Sequence, residues 1–244
     1  MEIKIENLTK AYGDFKAVDN MNLNIADGEL VGLLGPSGCG KSTTAALLMR
    51  FCDAAAGHIY MEGKDYHSMK PEELRKHIAM VPQQVNLFSG TIRDNLLLAD
   101  PDADDETLME AVKEAGLLKF VQSLEKGLDS DVGNAGASLS GGQRQKIGIA
   151  RALLSKAEYM IFDEATSSVD PESEKEIWET IGHLAHTRTL IIISHRMSSV
   201  RSADCIYVLK DGKVAQQGNH DTLMAQDGLY RELVVRQQAM EVAE

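Results

Sequence analysis

Apolar and polar residues alternate from Ile3 to Leu8 and again from Met21 to Ile25, the period of half-exposed strands, and Gly13-Asp14 supplies a turn between them. A third candidate strand, Ile59 to Glu62, stops at Gly63, so the pattern predicts a small antiparallel lobe. The largely apolar run Leu30 to Leu34 reads instead as a buried strand, and Thr43 to Met49 behind it propagates as a helix. Pro71 marks a helix start, and Ile78 to Val81 is a buried strand ended by Pro82.

From Thr91 to about Ser155 the texture becomes helical, with Leu108, Val112 and Ala115 at helical spacing and Gly-containing loops between segments. Short apolar runs resume at Tyr159 to Phe162 and Thr189 to Ile193, separated by a helical stretch carrying Ile177, Ile181 and Leu184, as in a parallel sheet with crossover helices. The expectation is an α/β core, residues 1–84 and 157–244, interrupted by a helical subdomain at 85–156. Leu229 to Met240 reads as a terminal amphipathic helix packed on the core.

Composition narrows the partners. A chain of 244 residues buries a substantial core, and its net charge of −12 disfavours nucleic acid, which is bound by neutralising phosphates with clustered Lys and Arg. Any anion site must be made locally. The three cysteines, Cys39, Cys52 and Cys205, lack metal-ligand or C-x-x-C spacing, which suits reduced thiols in a cytosolic setting. No leader pattern opens the sequence and its apolar runs fall far short of the roughly 20 residues needed to span a bilayer, so no membrane crossing is expected.

Chemistry concentrates in three places. Gly35-Pro36-Ser37-Gly38-Cys39-Gly40-Lys41-Ser42 matches the phosphate-loop pattern G-x-x-x-x-G-K-[ST] at every specified position, between a strand and a helix as the motif requires. Its glycines turn backbone N–H groups onto phosphates, the helix start adds a positive dipole end, Lys41 reaches the terminal phosphates and the Ser42 hydroxyl suits magnesium. A modified Cys39 thiol inside that loop would block nucleotide, unless the residue is only an inert small side chain. Tyr159 to Glu164 is an apolar strand ending in two carboxylates; strand alternation would separate Asp163, toward magnesium, from Glu164, toward an attacking water. Leu139-Ser140-Gly141-Gly142-Gln143 opens another helix and exposes N–H donors, either as an anion receptor or as a plain Ser cap.

Taken in order, these motifs resemble the nucleotide-binding domain of ATP-binding cassette (ABC) transporters over essentially the whole chain. GPSGCGKS resembles that family's Walker A loop, MIFDE its Walker B strand and LSGGQ its signature sequence. Tyr12 resembles the adenine-stacking aromatic, Gln83 the Q-loop glutamine, Ser168-Val169-Asp170 the D-loop and His195 the switch histidine.

The resemblance implies a RecA-like P-loop NTPase core with an antiparallel lobe and a helical subdomain. It further implies an Mg2+-dependent ATPase working as a head-to-tail homodimer, or paired with a homologous cassette, at the cytoplasmic face of transmembrane partners. ATP would meet Tyr12, the loop Gly35 to Ser42 and Thr43. Magnesium would meet Ser42, Gln83 and Asp163. Catalysis would fall to Glu164, His195, Gln83 and Lys41, and Leu139, Ser140, Gly141, Gly142, Gln143 and Asp170 would act from the partner copy.

Two alternatives stand beside this reading: a soluble cassette ATPase serving DNA repair or translation, and an ATP-gated dimer with little hydrolysis. From Met49 onward the wording is similar to exporter cassettes, whereas LTKAYGDFKAVDNMNLNIADGELVGLLGPSGCGKSTT is similar to sugar-importer cassettes, which suggests a mosaic with a seam near Thr44 to Met49. Asn134 departs from the exporter cassettes, which usually carry Glu in the loop before the signature.

Overall fold

A computed structural model describes residues 2–167, 169–185 and 187–241, without the side chains of residues 240 and 241. The chain runs through β1 (Glu2–Tyr12), β2 (Phe15–Ala26), β3 (Leu30–Leu34), α1 (Lys41–Leu48), β4 (Ala56–Met61), β5 (Lys64–Asp65) and α2 (Pro71–His77). It continues through β6 (Ile78–Val81), α3 (Ile92–Leu97), α4 (Asp105–Glu114), α5 (Leu118–Ser123), α6 (Gly141–Leu154), β7 (Tyr159–Asp163) and α7 (Pro171–Leu184). It ends with β8 (Thr189–Ser194), α8 (Met197–Val200), β9 (Cys205–Lys210), β10 (Lys213–Gly218), α9 (His220–Met224) and α10 (Leu229–Glu241).

Two compact units result, Met1–Ile78 with Ala185–Glu244, and Ala79–Leu184. In the first, β3 pairs in parallel with β8 on one side and β9 on the other, Val31 facing both Ile191 and Cys205. All five residues of β3 and all six of β8 are buried, which explains their unbroken apolar runs: a parallel strand covered on both faces has no solvent side to carry polar residues. β10 adds to β9 antiparallel at the edge.

The alternating segments form the expected antiparallel sheet, ordered β2-β1-β4-β5. Its strands are longer than their alternation indicated, and β1 runs on to Tyr12. Tyr207 of β9 stitches this sheet to the parallel one: its hydroxyl donates to the Asn24 carbonyl at 2.7 Å and accepts the Asn24 N–H at 3.0 Å. Burial pushes that phenol well above its ordinary range, keeping it a donor.

The second unit holds the helical segment together with β6, β7 and α7. Most of its helices start where the sequence offers a cap, α5 being the exception with Leu117 at that position. Thr91 and Asp94 form a capping box at α3, Asp104 caps α4, and Asp170 accepts from the Ser173 N–H at 2.9 Å, with Pro171 as first residue of α7. A half-buried latch fastens α6 to the segment around α3. Arg151 of α6 donates to Asn95 Oδ1 at 2.6 Å and to the carbonyls of Asn95 and Asn86, both at 2.8 Å, while Asn95 bonds the backbone N–H and carbonyl of Phe88. The segment following β6 is thereby fixed to the helix that opens at Ser140. Among the described residues no helix is long and apolar enough to cross a membrane.

Candidate functional site

In the first unit, the site begins where β3 runs out of buried strand at Gly35. The loop that follows needs its glycines. At Gly40, φ is +102° and a Cβ would stand 2.3 Å from the Ala17 carbonyl oxygen, so no side chain fits where the loop presses on β2. Gly40 is also the N-cap of α1 and supplies no side-chain cap, nor does the first turn contain an acid. The leading N–H groups of a helix have no intrahelical partner, and here they are left for an anion.

Lys41 is 5% exposed, and its ammonium lies inside the loop, donating to the carbonyls of Gly35 at 2.6 Å and Pro36 at 3.0 Å. A buried cation held by neutral groups suits polyanionic oxygens that would satisfy it better. Cys39 Sγ lies 3.7 Å from the same ammonium. Burial raises the Cys39 thiol despite Lys41, so it stays protonated and packs as a small apolar group, in favour of the inert alternative.

The parallel register sets Leu34 opposite Ser194, which places Gly35 and His195 one residue beyond a matched pair, side by side at the carboxyl edge. Ser194 Oγ accepts the Arg196 N–H at 2.9 Å, turning the chain immediately after the strand and leaving His195 exposed. Tyr12 pairs with Phe15 across the β1–β2 turn and is 55% exposed, so its ring offers a π-face. Ser42 is exposed and Thr43 half-buried on the first turn of α1.

The second unit gathers the other candidates. β6 and β7 are neighbours, and the residues just past their ends meet: Gln83 Nε2 donates to Ser167 Oγ at 2.9 Å. Asp163 closes β7 and is half-buried. Glu164 lies beyond the strand at φ +49°, with its carbonyl accepting the Ser167 N–H. Strand alternation, on which the sequence reading relied, thus ends at Asp163, because the chain turns left-handed at Glu164. A non-glycine residue in that region is costly and is concentrated at functional sites.

Ser140 caps α6 in a reciprocal box. Its Oγ accepts the Gln143 N–H at 3.1 Å, and Gln143 Oε1 accepts the Ser140 N–H at 2.8 Å. Leu139 and Gly142 are buried, Gly141 is half-buried and Ser140 is exposed at the tip. Arg144 donates to the Leu139 carbonyl at 2.6 Å. Gln145, buried on α6, donates to the Pro82 carbonyl at 2.9 Å and so ties this helix to the residue before Gln83. Asp170 is exposed, its carboxyl held below the usual range by hydrogen bonds from the backbone and side chain of Ser173. Ser168 lies outside the described residues.

Gln145 and Ser167 were not singled out from the sequence. Gln145 had a faint signal, a polar residue within the buried face of α6; Ser167 had none.

Ser42, Asp163 and Gln83 each carry an oxygen of the kind that a hard cation such as magnesium prefers.

The profile of the ABC transporter family matches residues 18–167. Among individual proteins, the chain is 44% identical over 219 residues to the ABC-type transporter kk1G of Curvularia clavata, covering 89% of this chain and 16% of that one. It is 42% identical over 217 residues to the ATP-dependent lipid A-core flippase 1 of Colwellia psychrerythraea strain 34H, covering 89% and 36%. A solved bacterial Atm1-family ABC exporter with ATP bound superposes with a TM-score of 0.91 at 37% identity, over 97% of this chain and 41% of the other. The chain thus spans well under half the length of these proteins.

Proposed function

Because the chain belongs to the ABC transporter family and has its P-loop ATPase fold, we propose that it is the ATP-hydrolysing motor of an exporter-type transporter, working as a head-to-tail pair beneath membrane-spanning partners at the cytoplasmic face. The observation that carries this reading is the phosphate loop: an uncapped helix start wrapped around a buried lysine ammonium.

ATP binds with its phosphates on the loop Gly35 to Thr43 and its adenine on Tyr12. Lys41 exchanges the Gly35 and Pro36 carbonyls for phosphate oxygens, a gain because the buried ammonium then faces an opposite charge in place of neutral acceptors. When bound by Ser42, Asp163 and Gln83, magnesium supplies positive charge against the phosphates. Glu164 takes the proton of the attacking water as that water's oxygen bonds to the γ-phosphorus, and the bond to the β-phosphate oxygen breaks to give ADP and phosphate. His195 donates to the γ-phosphate and Gln83 orients the water.

The second anion receptor, at Ser140, supports pairing. One phosphate loop surrounds only part of a γ-phosphate, and the partner copy's α6 start, with Leu139, Ser140, Gly141, Gly142, Gln143 and Asp170, completes the enclosure. Hydrolysis removes contacts that hold the closed pair and biases it to open. The helical subdomain, residues 85–156, carries that change to the membrane partner, with the Gln145–Pro82 bond and the Arg151–Asn95 latch joining α6 to the segment after β6. Cargo recognition belongs to the membrane partners.

ATPase rate measured against protein concentration, with and without DNA or RNA, tests the proposal. Specific activity should rise with concentration and ignore nucleic acid; a concentration-independent rate, or stimulation by DNA or RNA, would favour a soluble cassette of another kind.

A further inference from the structure

The β4–β5 hairpin assembles nitrogen and oxygen donors that nucleotide chemistry does not use. Its two-residue turn, Glu62-Gly63, has φ of +53° and +75°. Positive φ at both turn positions matches the twist of the flanking strands and fixes their register. Tyr60 accordingly faces Asp65 and Met61 faces Lys64. His58, two residues before Tyr60, shares its face, and the two rings stack with centroids 5.8 Å apart.

Asp65 then caps the short 3-10 turn Tyr66–Ser68 by accepting the His67 N–H at 2.8 Å, and that cap brings the His67 imidazole to the same carboxylate. Asp65 Oδ2 lies 2.6 Å from His58 Nδ1, and Oδ1 lies 3.0 Å from His67 Nδ1. Although burial opposes it, the hydrogen bonds from the His67 N–H and both imidazoles hold the Asp65 carboxyl below its ordinary range, so the group is an anion.

One ligand atom from each of His58, Asp65 and His67 lies within 4.8 Å of the others. Around a tetrahedral ion with bonds of about 2.0–2.1 Å, neighbouring donors stand roughly 3.3 Å apart. Binding would require the two imidazole rings to rotate toward the carboxylate and close the remaining gap. The histidine side chains, 55% and 53% exposed, have room for that rotation and leave a fourth position to water. Two imidazoles and one carboxylate select a later first-row ion, whereas magnesium and calcium prefer oxygen alone.

From this arrangement we infer that His58, Asp65 and His67 form a site for one divalent transition ion, zinc foremost, separate from the nucleotide's magnesium. Nucleotide-free protein stripped with chelator and titrated with Zn2+ against a chromophoric competitor should bind one equivalent. Co2+ at the same site should give a visible absorption band.

His58→Ala and His67→Ala should each weaken zinc by at least about tenfold and abolish the cobalt band. Asp65→Asn keeps a capping side chain, removes the anionic ligand and should weaken zinc as well. Cys52 lines the same small pocket as His67, so Cys52→Ser is the control and should leave binding unchanged. Unaltered magnesium-dependent ATPase in the histidine variants verifies their folding. Absence of stoichiometric binding, parental zinc affinity in both histidine variants, or loss of binding in Cys52→Ser would overturn the assignment.

Discussion

Ser140 holds two jobs that one pair of substitutions can separate. In the folded chain its hydroxyl accepts the Gln143 N–H at 3.1 Å as the N-cap of α6; in the proposed closed pair the same exposed tip faces the γ-phosphate held by the other copy. Ser140→Ala removes both. Losing a cap costs about 1 kcal/mol, which for a domain of this size lowers Tm by roughly 2–4 °C.

Ser140→Asp keeps an oxygen cap and adds a favourable charge at a helix N-terminus, so Tm should stay within about 1 °C of the parent. The same carboxylate would confront a phosphate in the closed pair. Two like charges about 4 Å apart at an effective dielectric near 20 repel by about 4 kcal/mol, on the order of 10³-fold in the population of the closed state. The assay combines thermal unfolding with steady-state ATPase at a fixed high protein concentration. Ser140→Asp should be nearly as stable as the parent and at least about 10²-fold slower, with Ser140→Ala less stable but faster than Ser140→Asp. Parental turnover in Ser140→Asp would remove the reason for assigning α6 to a phosphate.

Glu164→Gln should lower turnover by about 10²–10⁴-fold, the usual contribution of a general base, while size-exclusion chromatography with ATP shows more dimer; normal turnover would contradict the role given to Glu164. Gly142→Ala should be destabilised by roughly 1–3 kcal/mol, because its Cβ would lie 2.4 Å from both Cβ and Oγ of Ser173; Ser173→Gly in the same chain should recover part of the lost Tm. The caps at Asp94, Asp104 and Asp170 all hold their carboxyls below the ordinary range through hydrogen bonds from Thr91, Thr107 and Ser173 respectively. A depressed folded pKa gives stability that is present above the unfolded value and lost as pH falls through the folded one. Denaturation midpoints should therefore drop below the usual carboxylate range, and Asp104→Asn with Asp170→Asn, which keeps both caps, should flatten that dependence. Finally, similarity searches run separately with residues 1–44 and 49–244 should return different relatives; the same relatives for both would dismiss the seam.

What the sequence determined is the chemistry that neighbouring residues make among themselves. The phosphate loop is legible because a run of eight residues contains the turn glycines, the lysine and the helix start, all within a single stretch of backbone. Strands β3 and β8 are legible because burial on both faces leaves unbroken apolar runs at their centres, Leu190 to Ile193 in β8, and α7 because Asp170 and Pro171 announce it. Tertiary structure decided whatever depends on residues far apart in the chain or on a backbone angle. Alternation could not reveal that Glu164 turns left-handed after β7, because φ is set by the segment that follows. Gln145 meets Pro82, and Gln83 meets Ser167, across separations of 63 and 84 residues, with no local pattern to mark either pair. No sequence spacing marks His58, Asp65 and His67 as a group; the hairpin register and the Asp65 cap bring both imidazoles to the Asp65 carboxylate. Propensity and motif are properties of a segment, while a site is a property of the packing that brings segments together, and only folding supplies the second.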